Sequence, residues 1–417
     1  MKRFILALVC ILSYAASVKA VEITPDFYMR LRYVVQDFEN NYKDLNYNTF
    51  RIKTAVGLKT DFSPNYSAYV KLMNENRPYI YNMPGKSSDY SINEFIFENL
   101  YFDAKNLFGN ILDIRIGRQN LYYGDGFLVW EGTPGDGSRS IYFNAAKFTV
   151  KTKPATIEIV GHCGTKYEQY LPVLNQNNPP SKLNNSNESS AMIFVKSNLS
   201  NKLYIEPFYI YKNENIAYYE NIHTLGSYVR YKNGPWTFKG QFAGQLRDNL
   251  HETGTAYGGY GFIEREKVFF NDIVSIGGYY LSGDDEKTSA DEGWNNLYGR
   301  GMFIWSDLMC FIYLPETGDV GYWSNLKMYQ AQYKLNISKK TYVAGTYALL
   351  YANQTVTGSI FGNGNNRGSL ALAEFCHQFN KNVKFLLYGE YFTAGDFYNN
   401  EKLKSGSFFK TELTFCF

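Results

Sequence analysis

Long hydrophobic runs are missing from this sequence. After the first twenty residues, no stretch of 18 or more apolar residues occurs. A transmembrane helix needs about 20 such residues, so helical membrane spans are excluded. Histidine is scarce, with four residues, and proline is limited to 12. Tyrosine and phenylalanine are abundant instead, with 38 and 31 residues. This composition favours a closed β-barrel in a membrane, with aromatic girdles at the two lipid interfaces.

The sequence also has few metal ligands and few cysteines. Of five cysteines, one lies in the leader, and the others (Cys163, Cys310, Cys376 and Cys416) have no metal-type spacing. We therefore expect neither a bound metal nor a disulfide framework. The acidic run Gly283–Glu286 lacks the spacing of a calcium loop. No phosphate-binding or nucleic-acid-binding motif is present, and no cofactor is expected.

The first twenty residues have the pattern of a signal peptide. Lys2 and Arg3 precede an apolar run, Phe4–Leu12, and cleavage is expected near Ala20. The predicted mature chain, 21–417, then carries 39 basic and 39 acidic residues, because three of the 42 basic residues lie in the leader. A net charge of zero selects no solute, so only the placement of charges could do so.

Strand patterns cover the mature chain. In the stretch ILDIRIGRQNLYYGDG, Ile111–Gly126, apolar residues alternate with polar ones from Leu112 onward. Short turns alternate with long loops, which predicts an all-β fold: a closed antiparallel transmembrane barrel of 18 strands with short periplasmic turns and long external loops. The predicted strands are 25–37, 47–61, 66–75, 93–103, 111–120, 140–151, 154–163, 190–199, 203–213, 223–232, 236–247, 255–265, 271–283, 322–336, 341–352, 368–379, 383–393 and 406–417.

Residues 298–313 could be counted as a nineteenth strand, but this would place the later short turns on the wrong side of the membrane, so 284–321 is treated as one loop. We predict one large loop that bends over or into the lumen, with packing on the rim as the alternative. At the C-terminus, alternate residues from Phe409 to Phe417 share an apolar face. A terminal aromatic on such a strand resembles the signal read by the barrel-assembly machinery, and this strand should close against Tyr28–Val35.

An 18-strand barrel is too wide for side chains to fill, so the lumen should hold water. Strand parity points Arg30, Arg32, Arg51 and Lys53 inward as a cationic patch, joined by Arg115. Acidic residues balance these cations. The cations could guide anionic solutes, or the ions could only brace the barrel. The candidate pore-lining residues are Arg30, Arg32, Arg51, Lys53, Glu94, Glu98, Arg115, Arg118 (assigned to the rim), Asp125 and Lys147, with Arg230 as a possible further cation and Glu374, Glu390 and Glu412 as further acids.

Several short motifs occur in a suggestive order. Gly117–Gln119 (GRQ) and Tyr123–Gly126 (YGDG) follow a strand, and Tyr322–Leu326 reads YWSNL. With Arg30, Arg32 and Tyr33 and with Asn48–Arg51 near the start, the chain resembles the alginate-export family of outer-membrane porins. The resemblance implies an 18-strand barrel, an electropositive constriction and export of an anionic polysaccharide. The family's FDGAR pattern is reduced here to Phe143–Ala145, with Lys147 carrying the charge.

Three functions can be weighed from the sequence. The first is a channel in the outer-membrane lipid that passes an anionic polysaccharide or a small anionic solute. The second is a general diffusion porin without preference. The third, an outer-membrane hydrolase, needs a histidine beside its nucleophile, and none of His162, His223, His251 and His377 lies in such a motif. We therefore expect a channel and not an enzyme.

Overall fold

The computed structural model describes residues 21–39, 45–81, 94–130, 143–178, 180, 182–183, 186–215, 219–248, 252–299, 306–317 and 323–417. The signal peptide, His251, Tyr322 and the parts of the loops between these ranges lie outside the described residues. Within the described part of the chain, no helix is long and apolar enough to cross a membrane.

Eighteen long strands form one antiparallel sheet, which confirms the predicted barrel, and every predicted strand overlaps an observed one. The strands are β1 (Glu22–Phe38), β2 (Tyr47–Ser63), β3 (Tyr66–Asn76), β4 (Ile96–Asn106), β5 (Leu112–Gln119), β6 (Phe143–Lys151), β7 (Thr156–Gly164), β8 (Asn187–Asn198), β9 (Leu203–Asn215), β10 (Tyr219–Asn233), β11 (Trp236–Asp248), β12 (Thr253–Glu266), β13 (Asp272–Leu281), β14 (Leu326–Asn336), β15 (Thr341–Tyr351), β16 (Asn366–Asn380), β17 (Val383–Ala394) and β18 (Ser405–Cys416). Three short turns are labelled α1 (Leu107–Asn110), in which Phe108 and Gly109 have positive φ, α2 (Met309–Ile312) and α3 (Leu314–Thr317).

The barrel closes between its first and last strands. β1 pairs with β18 from Tyr28 opposite Cys416 to Phe38 opposite Gly406, as the sequence predicted. β1 also pairs with β2, and each later strand pairs with its neighbour in the chain. The three-residue segment Tyr79–Tyr81 extends β3 beyond Pro78 and pairs with β2. It is therefore a continuation of β3 and not a further strand of the barrel.

Alternation along each strand separates a lipid-type face from a lumen face. In β11, Phe242 and Leu246 are 59% and 52% exposed, whereas Gln241 and Gln245 are buried. Exposed apolar side chains with buried polar ones invert the soluble pattern, as expected for a barrel in lipid. We call the end of the barrel with short turns, such as Gly234–Pro235, the turn end, and the opposite end the loop end.

The lumen at the loop end is not the water-filled bore that the sequence predicted. Inward side chains of the strands meet folded loops there and form an apolar core. The expectation was wrong at this end because side chains from the loops fill the space that the side chains of an 18-strand wall cannot fill alone. Buried members of this core include Phe194, Ile210, Ile222, Met328, Leu350 and Phe392 from strands, and Leu128, Tyr298 and Leu308 from loops.

Candidate functional site

Four predicted cations come together inside the barrel on β1 and β2. Arg30 lies opposite Lys53 and Arg32 lies opposite Arg51 in the strand register. All four side chains are buried, with relative exposures between 1% and 8%. The parity prediction thus placed them correctly on the inner face.

These cations are already paired with carboxylates. Glu75 on β3 accepts from Arg30 at 3.3 Å and from Arg51 at 3.0 Å. Glu412 on β18 pairs with Arg32 at 2.6 Å. Burying a charge costs several kcal/mol unless it is compensated, so these pairs keep the cations in place. We call the set Arg30, Arg32, Arg51, Lys53, Glu75, Glu98 and Glu412 the buried ion network.

Glu75 was missed at the sequence level, although it is central to this network. Strand parity could have found it, because Glu75 lies on the same face of β3 as Lys71. Lys71 faces the lumen, where it pairs with Asp26 at 3.2 Å. The predicted partner Glu98 is in place and bonds Lys53 at 2.8 Å.

Arg115 does not join the cations of β1 and β2. It lies on β5, where it bonds Asp103 at 2.6 Å and stacks over Tyr101, with 3.9 Å between the guanidinium carbon and the ring centroid. Lys147 lies directly opposite Arg115 on β6. Both residues lie on the lumen face at partly exposed positions.

Arg118 and Glu94 hold the loop that follows β7. Arg118 is buried on the face shared with Leu100 and bonds Glu168 at 2.7 Å. Glu94 precedes β4 and accepts from the backbone of Asn177 at 3.1 Å. The structure thus places both residues in loop anchoring, away from the cationic cluster.

The YGDG motif lies inside the barrel. We call residues 120–130 the constriction loop. Tyr123 stacks on Phe194 of β8, with ring centroids 3.5 Å apart. The backbone N–H of Gly124 donates to Glu206 of β9 at 3.0 Å. Asp125 accepts from the Tyr228 hydroxyl at 3.4 Å and lies 3.8 Å from Lys239. The loop therefore leaves β5 and reaches the inner face of β8 to β11.

The large loop, 284–321, meets the constriction loop within the lumen. Tyr298 donates its backbone N–H to Leu128 at 3.0 Å and accepts from Trp130 at 3.3 Å. Lys212 of β9 donates to the carbonyl of Leu297 at 3.1 Å. Burial raises the pKa of the Tyr298 hydroxyl well above its ordinary value, so it stays neutral.

The second described part of the large loop, 306–317, docks on the opposite side of the barrel. Glu390 of β17 accepts from the Ser306 hydroxyl and from the backbone of Asp307, both at 2.6 Å. Asp307 also pairs with Lys410 of β18. The described parts of the large loop fold into the lumen, which confirms that expectation over packing on the rim.

Two cavities open on the turn-end side of the constriction loop. One, of 470 Å³, reaches the turn between β8 and β9, and we call it the cation-lined cavity. The other, of 340 Å³, is lined by several rings, and we call it the aromatic cavity. Both are lined by Asp125, Lys239 and Glu264. Asp125 therefore lies where the two cavities meet.

The cation-lined cavity has basic side chains within reach of solutes. Its lining includes four basic residues, Lys202, Arg230, Lys232 and Lys239, and three acidic ones. Arg230 is exposed and lies opposite Lys239 in the strand register. Only Arg230 was suggested by the sequence. The other three were missed, although Lys239 has the same inward parity as Gln241.

Histidines and possible metal ligands form no further site in the described residues. His162 is buried and His223 bonds the Tyr209 hydroxyl on the outer face. No group of three or more His, Cys, Asp or Glu side chains that could hold a metal ion is found among the described residues.

Comparisons with families and curated proteins find no match, whereas solved structures match nearly the whole chain. The outer membrane protein OpdK of Pseudomonas aeruginosa is 10% identical, with a TM-score of 0.62, covering 95% of this chain and 99% of OpdK. OccK2 (OpdF) of the same organism, solved with glucuronate, is 7% identical, with a TM-score of 0.62 and coverage of 95% and 98%. OpdK of the same organism, solved with vanillate, is 9% identical, with a TM-score of 0.62, covering 95% of this chain and 98% of OpdK.

At sequence identities this low, the similarity concerns the fold alone. This chain has the closed 18-strand barrel fold of these outer-membrane porins. The resemblance to the alginate-export family has no matching family model behind it and stays a prediction.

Proposed function

We propose that this chain is an outer-membrane channel for small anionic solutes, with acidic, alginate-like sugars as the finer assignment. The cation-lined cavity carries the proposal. It presents four basic residues against three acids and opens toward the turn end of the lumen. Charges that line a water-filled bore are solvated, and their sign favours entry of the opposite charge.

The outer face supports the membrane part of this proposal. Large apolar side chains are exposed all around the barrel, and in water this would be an aggregation-prone surface. A lipid environment removes that cost. Phe417, which follows β18, is 65% exposed, and we propose that the barrel-assembly machinery recognises this strand. Examples of the exposed apolar residues are Val56, Leu225, Phe242, Ile276, Tyr329, Tyr347 and Phe409.

Cavity size favours single sugar units or short chains over a bulky polymer. The cavities hold 470 Å³ and 340 Å³, in the range of small-molecule sites. Both loops narrow the lumen beside them. Passage of a polysaccharide would then require its residues to move in single file past Asp125.

Reversal potentials across a planar bilayer with a KCl gradient test the proposal. We expect wild-type channels to prefer chloride, and Arg230→Glu/Lys239→Glu channels to lose or invert that preference. Arg265→Glu is the matched control, because Arg265 is exposed and stacks on Trp236 on the outer face. Equal chloride preference in all three proteins would contradict the proposed path.

A general diffusion porin is the second candidate. Its support is the close pairing of cations and acids in the same cavity, with Lys239 3.0 Å from Glu264 and Lys232 2.8 Å from Glu266. Such pairing weakens the local field. Little selectivity in the wild-type protein would favour this candidate, and neither candidate predicts hydrolysis by the purified protein.

A further inference from the structure

The turn end of the barrel is basic. Its eight turns, all within the described residues, together contain six lysines and no acidic residue. One of the six, Lys202, lines the cation-lined cavity. We call the other five, all of which are exposed, the turn lysines: Lys153, Lys267, Lys339, Lys340 and Lys381. The turns are residues 64–65, 107–111, 152–155, 199–202, 234–235, 267–271, 337–340 and 381–382.

The turn lysines have no carboxylate partner among the described residues. Lysines of the adjoining strands differ, since Lys59 pairs with Asp61 at 2.7 Å and Lys151 pairs with Asp113 at 2.6 Å. The large loop at the opposite end has the reverse charge balance, with five acids and one lysine in residues 284–299. The turns therefore present positive charge that no carboxylate of the described chain neutralises.

Large apolar side chains extend from the same turns. Phe108, Leu199, Phe269, Phe270 and Ile337 are between 60% and 79% exposed. In water, such a set of exposed side chains would be unfavourable. The boundary between lipid headgroups and acyl chains accommodates them, because it is apolar on one side and polar on the other.

The turn between β12 and β13 shows how these side chains are held. Asp272 accepts from the backbone N–H of Val268 at 2.7 Å and from that of Phe269 at 3.1 Å. The same turn carries Lys267 and a second exposed ring, Phe270. Its bonds therefore keep two apolar rings exposed beside a lysine, a combination that suits a membrane interface.

The turn between β14 and β15 has the same combination. Ile337 is 60% exposed, and Lys339 and Lys340 follow it. The Lys340 ammonium donates to the carbonyl of Phe379 on the neighbouring strand end at 3.1 Å. This bond leaves its charge without a carboxylate, so both lysines can meet an anion at the rim.

The spread of these residues around the barrel decides the kind of partner. They occur in turns from the one between β4 and β5 to the one between β16 and β17. A single protein domain would cover one side of this rim, whereas a lipid leaflet surrounds all of it. Anionic headgroups attract lysine and acyl chains accept apolar side chains, so a leaflet that contains anionic lipid matches both components.

Given the membrane channel proposed above, we propose that the turn end binds the anionic phospholipid headgroups of the adjoining leaflet. The turn lysines pair with headgroup phosphates. The apolar side chains of the turns enter the boundary between headgroups and acyl chains. Together these contacts hold the turn end at the membrane surface and select anionic over zwitterionic lipid.

Fluorescence quenching by brominated phospholipids tests this proposal. The reporter protein is the full chain with Ile337→Trp and Trp236→Phe, in vesicles of phosphatidylglycerol and phosphatidylcholine in equal amounts. Trp236 is replaced because it is 40% exposed on the outer face. Bromine on the acyl chains of one lipid or the other quenches a tryptophan that this lipid contacts, and Trp236→Phe alone gives the background signal.

We expect phosphatidylglycerol to associate with position 337 about fivefold more strongly than phosphatidylcholine at low salt, as one lysine near a membrane surface would give. In about 1 M KCl, where the screening length is about 3 Å, both lipids should associate equally. Lys339→Gln/Lys340→Gln in the reporter should abolish the preference at low salt as well.

Lys327→Gln/Lys404→Gln in the reporter is the matched control. Lys327 begins near the loop end of β14 and Lys404 directly precedes β18, and both are exposed. The control removes the same charge as the test variant from the opposite end of the barrel. It should keep the preference of the reporter.

Equal association of both lipids with the unaltered reporter at low salt would overturn the proposal. A preference that survives Lys339→Gln/Lys340→Gln, or one that the control removes, would overturn it too. So would a tryptophan at position 337 that neither lipid quenches while Trp236 of the wild-type protein is quenched. If neither tryptophan is quenched, the barrel does not lie in lipid, and the proposed channel function fails as well.

Discussion

The walls formed by β1 to β4 and by β9 to β13 both point basic side chains into the lumen, and they use them differently. On the first wall, Arg30 and Lys53 are only 1% exposed and are paired with acids. On the second, Lys239 is also paired, with Glu264, but its side chain is 29% exposed, and Arg230 is exposed beside a cavity. Inward direction alone therefore does not make a cation available to a solute.

Two features decide whether a cation braces the wall or faces solutes: the carboxylates that reach it and the space beside it. Where a carboxylate on a neighbouring strand reaches the cation and little space remains, the charges act as a brace. Where a cavity adjoins the cation, part of its field extends into water. We therefore propose that the β1 to β4 wall keeps the barrel in shape and that solutes meet the β9 to β13 wall.

The largest expected effect comes from breaking the brace. Glu75→Gln removes the charge shared by Arg30 and Arg51, and loss of one partner of a buried ion pair costs about 3–5 kcal/mol. We expect the free energy of unfolding in detergent or vesicles, followed by heat-dependent gel mobility in urea, to fall by that amount. A loss below about 1 kcal/mol would mean that Glu75 is not central to the brace.

Loosening the large loop should act on the channel instead. Glu390→Gln weakens the bonds to Ser306 and Asp307, and a hydrogen bond within a protein contributes about 0.5–1.5 kcal/mol. We expect larger and noisier single-channel currents because the loop leaves the lumen more often. Glu374→Gln is the control, since Glu374 bonds the Tyr342 hydroxyl on the wall itself. Identical currents from both variants would show that the loop does not restrict the path.

Two glycines with similar backbone angles test how closely the constriction loop packs on the barrel wall. Gly124 and Gly234 have similar positive φ values, 56° and 58°. Alanine at either position costs about 1–2 kcal/mol in backbone strain. A Cβ at 124 would also lie 2.6 Å from the Gln241 side-chain oxygen, whereas a Cβ at 234 meets nothing within 4 Å.

We therefore expect Gly124→Ala to lower the free energy of unfolding more than Gly234→Ala and to change the single-channel conductance. Gly234→Ala, in a turn between β10 and β11, should leave the conductance unchanged. Equal effects of both substitutions on stability and conductance would argue against close packing of the constriction loop on β11.

The smallest effect is expected at the exposed pair of Lys232 and Glu266. Their side chains are 54% and 43% exposed, and such pairs contribute between about 0 and 1 kcal/mol. Glu266→Gln should leave the free energy of unfolding nearly unchanged in the urea series used for Glu75→Gln. A loss as large as that of Glu75→Gln would remove the distinction between the two walls.

Strand positions and the inner face could be predicted because each depends on local alternation. Every predicted strand overlaps an observed one, and Arg30, Arg32, Arg51 and Lys53 face inward as parity required. Contacts between distant segments could not be predicted in this way. Glu75 meets Arg30 across 45 positions of sequence, and the constriction loop meets β9 across 82.

Loop packing also explains why strand patterns did not predict the partners of some candidates. Arg118 and Glu94 anchor the loop after β7, a contact that no strand pattern encodes. The water-filled lumen was wrong at the loop end for the same reason, since Leu128 and Leu308 come from loops. Strand parity gives a side chain its direction, and long-range packing decides what it meets.

Reversal potentials of two paired variants test the difference between the walls most directly. Arg230→Gln/Lys239→Gln removes two cations from the cavity side, and Arg51→Gln/Lys53→Gln removes two from the brace. Among channels that insert and conduct, we predict that the first pair loses most of the chloride preference and the second keeps it. The opposite order, with selectivity lost only in the second pair, would contradict a solute path along the β9 to β13 wall.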